Sequence, residues 1–254
     1  MDASHAPYFL ENQTKSGVVL FIHGFMGSPR QFYKFAHSVH EKGKSAAVLL
    51  LPGHGGTSKE FSTGTYERWQ KHVDHNVEYL SQVYKDIWLC GHSMGGLLAT
   101  NAAIKYSEHI RGLFLIACPF KLRKISARVL KARFVQMFSK KIKTEYKKSS
   151  SVPHAPPLLW HTIKPYSELK KLIVATKANL PNLQKNVTAA YSTSDETTSI
   201  KSLDILKSGL TKATLEQIQL TDSMHAYFPE HERQLLTQAL LKMVFEKRGE
   251  ENCE

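Results

Sequence analysis

The sequence feature that most constrains the fold is a regular alternation of short apolar runs with longer stretches of helical periodicity. Apolar runs occupy residues 17–22, 46–51, 86–90, 112–117, 186–191 and 214–220, and a short first strand is expected at 8–11. Helices are expected at 29–42, 65–84, 94–107, 166–178, 199–210 and 230–247. The first four runs are nearly continuous, which is typical of parallel strands covered on both faces. The pattern predicts an α/β fold with a mostly parallel central sheet flanked by helices.

Residues 119–165 interrupt this alternation. A basic segment and a loop rich in serine and proline stand where the next helix and strand would otherwise follow. In parallel sheets, binding sites form at the carboxyl ends of the strands, so an insertion there can cover a site. The sequence therefore predicts a cap or lid at 119–165, inserted between two parts of one core, 1–118 and 166–254.

The strongest chemical signal is the hexapeptide GHSMGG at residues 91–96. It follows an apolar run directly and precedes a helical stretch, which is the context of a nucleophile elbow. Such a turn is so sharp that side chains two positions before and after the serine would collide with strand and helix. Gly91 and Gly95 remove those collisions. The motif predicts Ser93 as a nucleophile exposed above the sheet.

A glycine-containing turn, HGFMG at residues 23–27, follows the first long apolar run. Ester chemistry needs two backbone N–H groups directed at the oxyanion that develops in the transition state. The N–H of Met94, which follows the nucleophile, is one candidate, and the N–H of Phe25 is the other. Gly24 allows the backbone to approach the substrate closely.

A serine nucleophile needs a base, and the base needs an orienting acid. On an elbow of this kind the acid and then the histidine follow the last two strands. Asp195 follows the run at 186–191, and His225 follows the run at 214–220. Glu196 and Asp222 are the two rivals for the acid. We predict Ser93, Asp195 and His225 as the catalytic residues.

These motifs resemble the α/β-hydrolase superfamily, and within it the small bacterial carboxylesterases and monoacylglycerol lipases. The resemblance is carried by residues 23–27, LPGHG at 51–55, 91–96, Ser194-Asp195 and Ser223-Met224-His225. It implies an α/β-hydrolase fold with a small cap after the sixth strand. It also implies serine hydrolysis of a carboxylic ester through an acyl-enzyme, with no metal or organic cofactor.

Alternative activities with the same three residues are acyl transfer and thioester hydrolysis. A protein that binds a ligand in the same pocket without turnover is a further alternative, because fold does not fix function. His23, Gly24, His92, Leu158, Leu159 and Trp160 are candidate substrate-binding residues. The last three could line an acyl pocket or only anchor the cap. His54 could contact substrate, although a structural role in its loop is the simpler interpretation.

The charge of the chain is concentrated in the insertion. The 254 residues carry 34 basic and 22 acidic side chains, a net charge of +12. Residues 121–148 include 11 basic residues and one acidic residue, which is +10 of that total. Apolar residues recur at helical spacing in this segment, so it is either a lid helix with solvated lysines or a contact for an anionic membrane or acidic substrate. Nothing in it predicts nucleic-acid binding.

Composition places the chain among globular proteins of a reducing compartment. Its 42% hydrophobic content suffices for a core, and three cysteines are too few for a disulfide framework. No apolar run has the length of a membrane span, and the N-terminus lacks the pattern of a secretory signal. We therefore expect a cytoplasmic enzyme that acts on a small-molecule ester with an apolar acyl chain.

Overall fold

Seven strands form a single sheet in the structure, a computed structural model that describes residues 5–124, 144, 150–152 and 158–246. The strands are β1 (Tyr8–Leu10), β2 (Val18–Ile22), β3 (Ser45–Val48), β4 (Ile87–His92), β5 (Ile110–Ile116), β6 (Val187–Ser192) and β7 (Leu215–Leu220). Their order is β1-β3-β2-β4-β5-β6-β7, and all are parallel except β1, which pairs antiparallel with β3. The predicted mostly parallel sheet is confirmed, and the mixed run of β7 lies at an edge as expected.

Helices cover both faces of this sheet. They are α1 (Tyr33–Glu41), α2 (Ser58–Ser62), α3 (Tyr66–Ser81), α4 (Met94–Lys105), α5 (Leu158–Asn179), α6 (Lys201–Gly209) and α7 (Glu230–Phe245), with 3-10 turns at Pro29–Phe32 and Leu180–Asn182. Helices α1 and α7 pack on one face, and α3 to α6 contribute to the core on the other. Strand side chains alternate between the two layers: Val19 and Phe21 face one, and Leu20 and Ile22 face the other.

Three details differ from the sequence-based expectations. Helix α2 was not expected, although Thr57 and Glu60 form a capping box that marks its start. Helix α5 begins at Leu158, eight residues before the expected start, and continues through Pro165. The proposed boundary between cap and core at residue 165 therefore falls inside a helix. The insertion follows the fifth strand of this chain rather than the sixth, because among the described residues one strand, β1, precedes β2.

Most of the insertion lies outside the described residues. The basic segment is described only at 121–124 and at residue 144, and the serine- and proline-rich loop only at 150–152. The side chains of Leu158 and Leu159 also lie outside what is described. The cap at 119–165 therefore stays a prediction. Among the described helices, none has both the length and the apolar content needed to cross a bilayer.

Two adjacent leucines of α7 give a test of the packing. Leu236 is fully buried in the layer between α7 and the sheet, whereas the side chain of Leu235 is 44% exposed. Leu236→Ala should lower the free energy of unfolding by about 2 to 5 kcal/mol, because removing most of a buried side chain leaves a cavity. Leu235→Ala should cost less than about 1 kcal/mol. Urea denaturation measures both, and equal losses would contradict the layer assignment.

Candidate active site

The predicted site residues come from four loops at the carboxyl ends of the strands. Strands β2, β4, β6 and β7 are parallel, so the segments that follow them lie at the same edge. Those segments carry the turn at 23–27, Ser93, Asp195 and His225 respectively. The topology thus brings together residues that are as much as 132 positions apart. Ligand sites of parallel sheets form at this edge.

Ser93 occupies a strained turn between β4 and α4. Its backbone φ is 52° and ψ is −123°, a conformation that L-residues rarely adopt. A Cβ on Gly95 would collide with the backbone carbonyl of Ile22, and one on Gly91 would collide with the backbone of α4. Only glycine fits at these positions, so the strand and helix approach closely enough to force the turn. Ser93 then stands at the positive end of the α4 dipole.

The three predicted catalytic residues form a continuous hydrogen-bonded chain. Ser93 Oγ lies 2.9 Å from His225 Nε2, and His225 Nδ1 lies 2.9 Å from Asp195 Oδ2. The carboxylate fixes the imidazole tautomer with its proton on Nδ1, which leaves Nε2 to accept the Ser93 proton. Asp195 is 3% exposed, and its other oxygen accepts the N–H groups of Thr197 and Thr198, each at 2.7 Å. This order of groups can activate a hydroxyl for nucleophilic attack.

The two rivals for the acid take other positions. Asp222 is exposed and lies 3.2 Å from His231, not at the His225 ring. Glu196 is buried, and its carboxylate accepts the backbone N–H of His225 at 3.0 Å. Glu196 therefore contacts the histidine through the main chain, whereas Asp195 contacts the ring.

Burial and neighbouring charges shift the pKa values of His225 and Asp195 in opposite directions. Burial alone would lower the pKa of His225, but the Asp195 carboxylate and the charge of Glu196 raise it to a net value above the usual one for histidine. Burial alone would raise the pKa of Asp195, but His225 and the two backbone N–H groups lower it below its usual value. The acid therefore stays ionised while the imidazole exchanges a proton.

Two histidines hold the turn at 23–27 in place. His23 Nε2 accepts the Leu51 N–H at 3.0 Å, so its Nδ1 donates to the Gly24 carbonyl at 2.9 Å. His54 Nε2 accepts the Met26 N–H at 3.2 Å. Burial lowers the pKa of His54 to about 4 and that of His23 well below its usual value, so both rings stay neutral. This assigns His54 the structural role that was the simpler interpretation of the sequence.

Among the described residues, no acceptor is bonded to the Phe25 and Met94 N–H groups that were predicted for an oxyanion hole. The Gly24 carbonyl is held by His23 and by the Gly27 N–H, and the trans peptide directs the Phe25 N–H to the opposite side. Met94 begins α4, so its N–H has no acceptor within the helix. Gly24 lies against Ser93, since a Cβ on it would be 2.9 Å from the serine Cβ. The predicted pair of donors thus lies beside Ser93.

Of the candidate substrate-binding residues, His23 contacts the protein backbone through both ring nitrogens and His92 through one. Both ring nitrogens of His23 bind main-chain groups, so none is left for a ligand. His92 Nε2 donates to the His225 carbonyl at 2.8 Å, and burial lowers the pKa of its ring to about 3. Trp160 lies on α5 with 79% of its surface exposed.

Sequence reasoning missed the carboxylate that shapes the loop before His225. Glu232 of α7 is 5% exposed and accepts the backbone N–H groups of Thr221, Asp222 and Ser223. A glutamate in the first turn of a predicted helix gives no signal of this role, because the contact depends on how the helix packs. Asp222, His231 and Glu232 also bring potential metal-binding atoms within 4.8 Å of one another. The Glu232 oxygens, however, are already occupied by N–H groups.

The fold and the site geometry define an α/β hydrolase. A model of the family described as serine aminopeptidase, S33, matches residues 13–200, and the chain belongs to this family. The thermostable monoacylglycerol lipase of Bacillus sp. (strain H-257) is 23% identical over 245 residues, which are 96% of this chain and 95% of that protein.

Solved structures resemble the whole fold. One, from work on the metagenome-derived lipolytic enzymes LipS and LipT, superposes with a TM-score of 0.74 at 20% identity and covers 96% of this chain and 99% of that one. The monoacylglycerol lipase of Paleococcus ferrophilus superposes with a TM-score of 0.71 at 16% identity and covers 94% of this chain and 98% of that one. At these identities, the similarity establishes the fold.

Glu196 provides a test of the electrostatics of the site. Glu196→Gln keeps an oxygen that can accept the His225 N–H but removes a negative charge that raises the pKa of His225. A base must be neutral to act, so kcat/KM should rise with pH through that pKa. The acidic limb of the profile should therefore move to lower pH in the variant, by up to about one unit.

Asp222→Asn is the matched control, because it removes an exposed carboxylate three residues from His225 that does not contact the ring. Its acidic limb should coincide with that of the unmodified enzyme. An unmoved limb in Glu196→Gln, or the same shift in both variants, would contradict the assignment.

Proposed function

We propose that this chain is a serine carboxylic-ester hydrolase of the carboxylesterase or monoacylglycerol-lipase type. The observation that carries the proposal is the chain of hydrogen bonds from Ser93 through His225 to Asp195, beside the backbone N–H groups of Phe25 and Met94. The family relationship supports hydrolysis, and the relative named as a monoacylglycerol lipase supports an ester as substrate.

The mechanism follows from the roles of these groups. His225 Nε2 takes the Ser93 proton as Oγ attacks the ester carbonyl, and Asp195 stabilises the imidazolium. The N–H groups of Phe25 and Met94 hold the oxyanion, and each such donor is typically worth about 3 kcal/mol. His225 then protonates the leaving alcohol. A water molecule, activated by the same imidazole, attacks the acyl-enzyme and releases the acid.

An apolar acyl chain suits the surroundings of the turn at 23–27, which we call the oxyanion turn. The Phe25 ring packs edge-to-face against Phe61 at 5.0 Å between centroids, against Trp69 at 6.3 Å and against Tyr166 at 6.4 Å. Aromatic side chains offer apolar contact area with little loss of conformational entropy. Phe61 and Trp69 are fully buried, so half-buried Phe25 and exposed Tyr166 would supply the apolar surface beside a substrate carbonyl bound at the Phe25 N–H.

The cytoplasm remains our proposal for where the enzyme works. It rests on cysteine usage, since Cys90 and Cys118 are buried free thiols in the described core. In an oxidising compartment, cysteines more often occur in disulfides.

Removal of the nucleophile tests the proposed function. Ser93→Ala should reduce kcat/KM for a p-nitrophenyl ester by about 10⁴-fold or more, because the attacking group is lost. Far-ultraviolet circular dichroism should be unchanged. A panel of esters of increasing acyl length, with a matched thioester and an aminoacyl amide, then defines the bond that is cleaved. Turnover retained by Ser93→Ala, or preferred cleavage of the amide or thioester, would contradict the proposal.

Contact with an anionic membrane is the second part of the proposal. The basic segment itself lies outside the described residues, but α5, which follows it, exposes Trp160 by 79% and Ile163 by 60%. The same helix carries three exposed lysines, Lys164, Lys170 and Lys171. Exposed tryptophan and aliphatic side chains beside lysines are typical of helices that lie on lipid surfaces.

Sedimentation with vesicles tests this contact. Vesicles that contain phosphatidylglycerol should retain the enzyme at low salt, and Trp160→Ala should weaken that retention several-fold because the aromatic anchor is lost. Tyr79→Ala is the matched control, because Tyr79 is 61% exposed on α3. Equal retention of the two variants, or equal retention by neutral vesicles, would contradict the proposed contact.

A further inference from the structure

The short segment Ser150–Val152 returns from the insertion and lies directly against the oxyanion turn. The backbone N–H of Ser151 donates to the Met26 carbonyl at 3.1 Å, and its hydroxyl donates to the Gly27 carbonyl at 2.5 Å. Ser151 is 6% exposed and Val152 is 2% exposed. Buried Ser151 thus donates both of its hydrogens to two successive carbonyls of one turn, and leaving a buried carbonyl without a donor is unfavourable.

The attached turn has a conformation that needs support. Met26 has a backbone φ of 58°, which is unfavourable for a residue with a side chain. His54 holds the N–H of Met26 from the core side, and Ser151 holds its carbonyl from the insertion side. The peptide before Met26 is therefore held by His54, and the peptide after it is held by Ser151. These contacts lie one residue from Phe25, whose N–H is the proposed oxyanion donor.

We propose that Ser151 is a positioning residue for the oxyanion hole, and that it attaches the insertion to the catalytic turn. This inference rests on the proposed ester hydrolysis, in which the Phe25 N–H binds the oxyanion. Ser151 contacts neither the substrate nor the reacting atoms. Its hydroxyl fixes the turn at Gly27. The Phe25 N–H is therefore in place before the substrate binds, at the position where negative charge develops in the transition state. Preorganised donors of this kind act on the transition state rather than on substrate binding.

Two substitutions separate the hydrogen bond from the packing. Ser151→Ala removes the hydroxyl, and Ser151→Cys keeps a side chain of similar shape with a much weaker donor. Both should lower kcat for a p-nitrophenyl ester about tenfold, with KM within about twofold, because loss of a whole oxyanion donor costs about 10² to 10³. Ser81→Ala is the matched control, since the Ser81 hydroxyl donates to the Glu78 carbonyl at 2.8 Å on exposed α3.

Binding measurements would distinguish this positioning role of Ser151 from a purely structural one. A boronic acid that adds to Ser93 forms a tetrahedral anion, so its Kd should rise in both Ser151 variants by the same factor as kcat falls. The Kd of the intact ester, measured in Ser93→Ala with and without Ser151→Ala, should not change. All rates are divided by the folded fraction determined from circular dichroism.

Three results would overturn the inference: values of kcat and boronate Kd within twofold of the unmodified enzyme, full activity in Ser151→Cys, or a loss that appears equally in the Kd of the ester. Failure of the proposed function is distinguishable, because it would appear as turnover in Ser93→Ala whatever the behaviour of the Ser151 variants.

Discussion

The close approach of strand β4, helix α4 and the end of strand β2 is the constraint on which the rest of the site depends. Gly91 and Gly95 have no side chains, and any Cβ there would overlap neighbouring backbone. Ser93 can therefore adopt its positive φ only because the surrounding sheet and helix hold it there. The same approach brings Ser93 beside the turn at 23–27. A buried core of strands and helices thus supports a local conformation that would be unfavourable in isolation.

Buried carboxylates organise the opposite side of the site. Asp195 holds the His225 ring, Glu196 holds its backbone N–H, and Glu232 holds the three residues before Met224. A buried carboxylate is stable only when several donors satisfy it, and each of these accepts N–H groups from the main chain or the imidazole. The loop that carries His225, between β7 and α7, is neither a strand nor a helix. Hydrogen bonds to these acids fix it in place of regular secondary structure. His92 adds a neutral donor to the His225 carbonyl.

The parts of the architecture that could be predicted from the sequence are those with a local signature. Strands β2 to β7 appear as apolar runs, and the elbow appears as glycines around Ser93. The order of strands then placed Asp195 and His225 after the last two, where the structure has them in contact. Helix α2 had a local signature too, in its capping box, but five residues give little periodicity.

The supporting contacts could not be predicted because they join residues distant in the chain. Ser151 reaches Gly27 across 124 positions, and Glu196 reaches His225 across 29. The side chains of Glu196 and Ser151 are ordinary residues of polar loops until the fold brings a main-chain partner to them. His23 and His92 were expected at the substrate for a related reason: a histidine beside a catalytic motif looks the same in the sequence whether it binds ligand or backbone.

The central claim is that a covalent acyl-enzyme forms on Ser93 at this assembled site, and its direct test is mass spectrometry of the enzyme quenched in acid during turnover of an activated ester. The account predicts a mass increase equal to one acyl group, located by proteolysis to the peptide that contains residues 91–96. An acyl group found reproducibly on another residue, or turnover under conditions of slow deacylation with no mass increase, would contradict it.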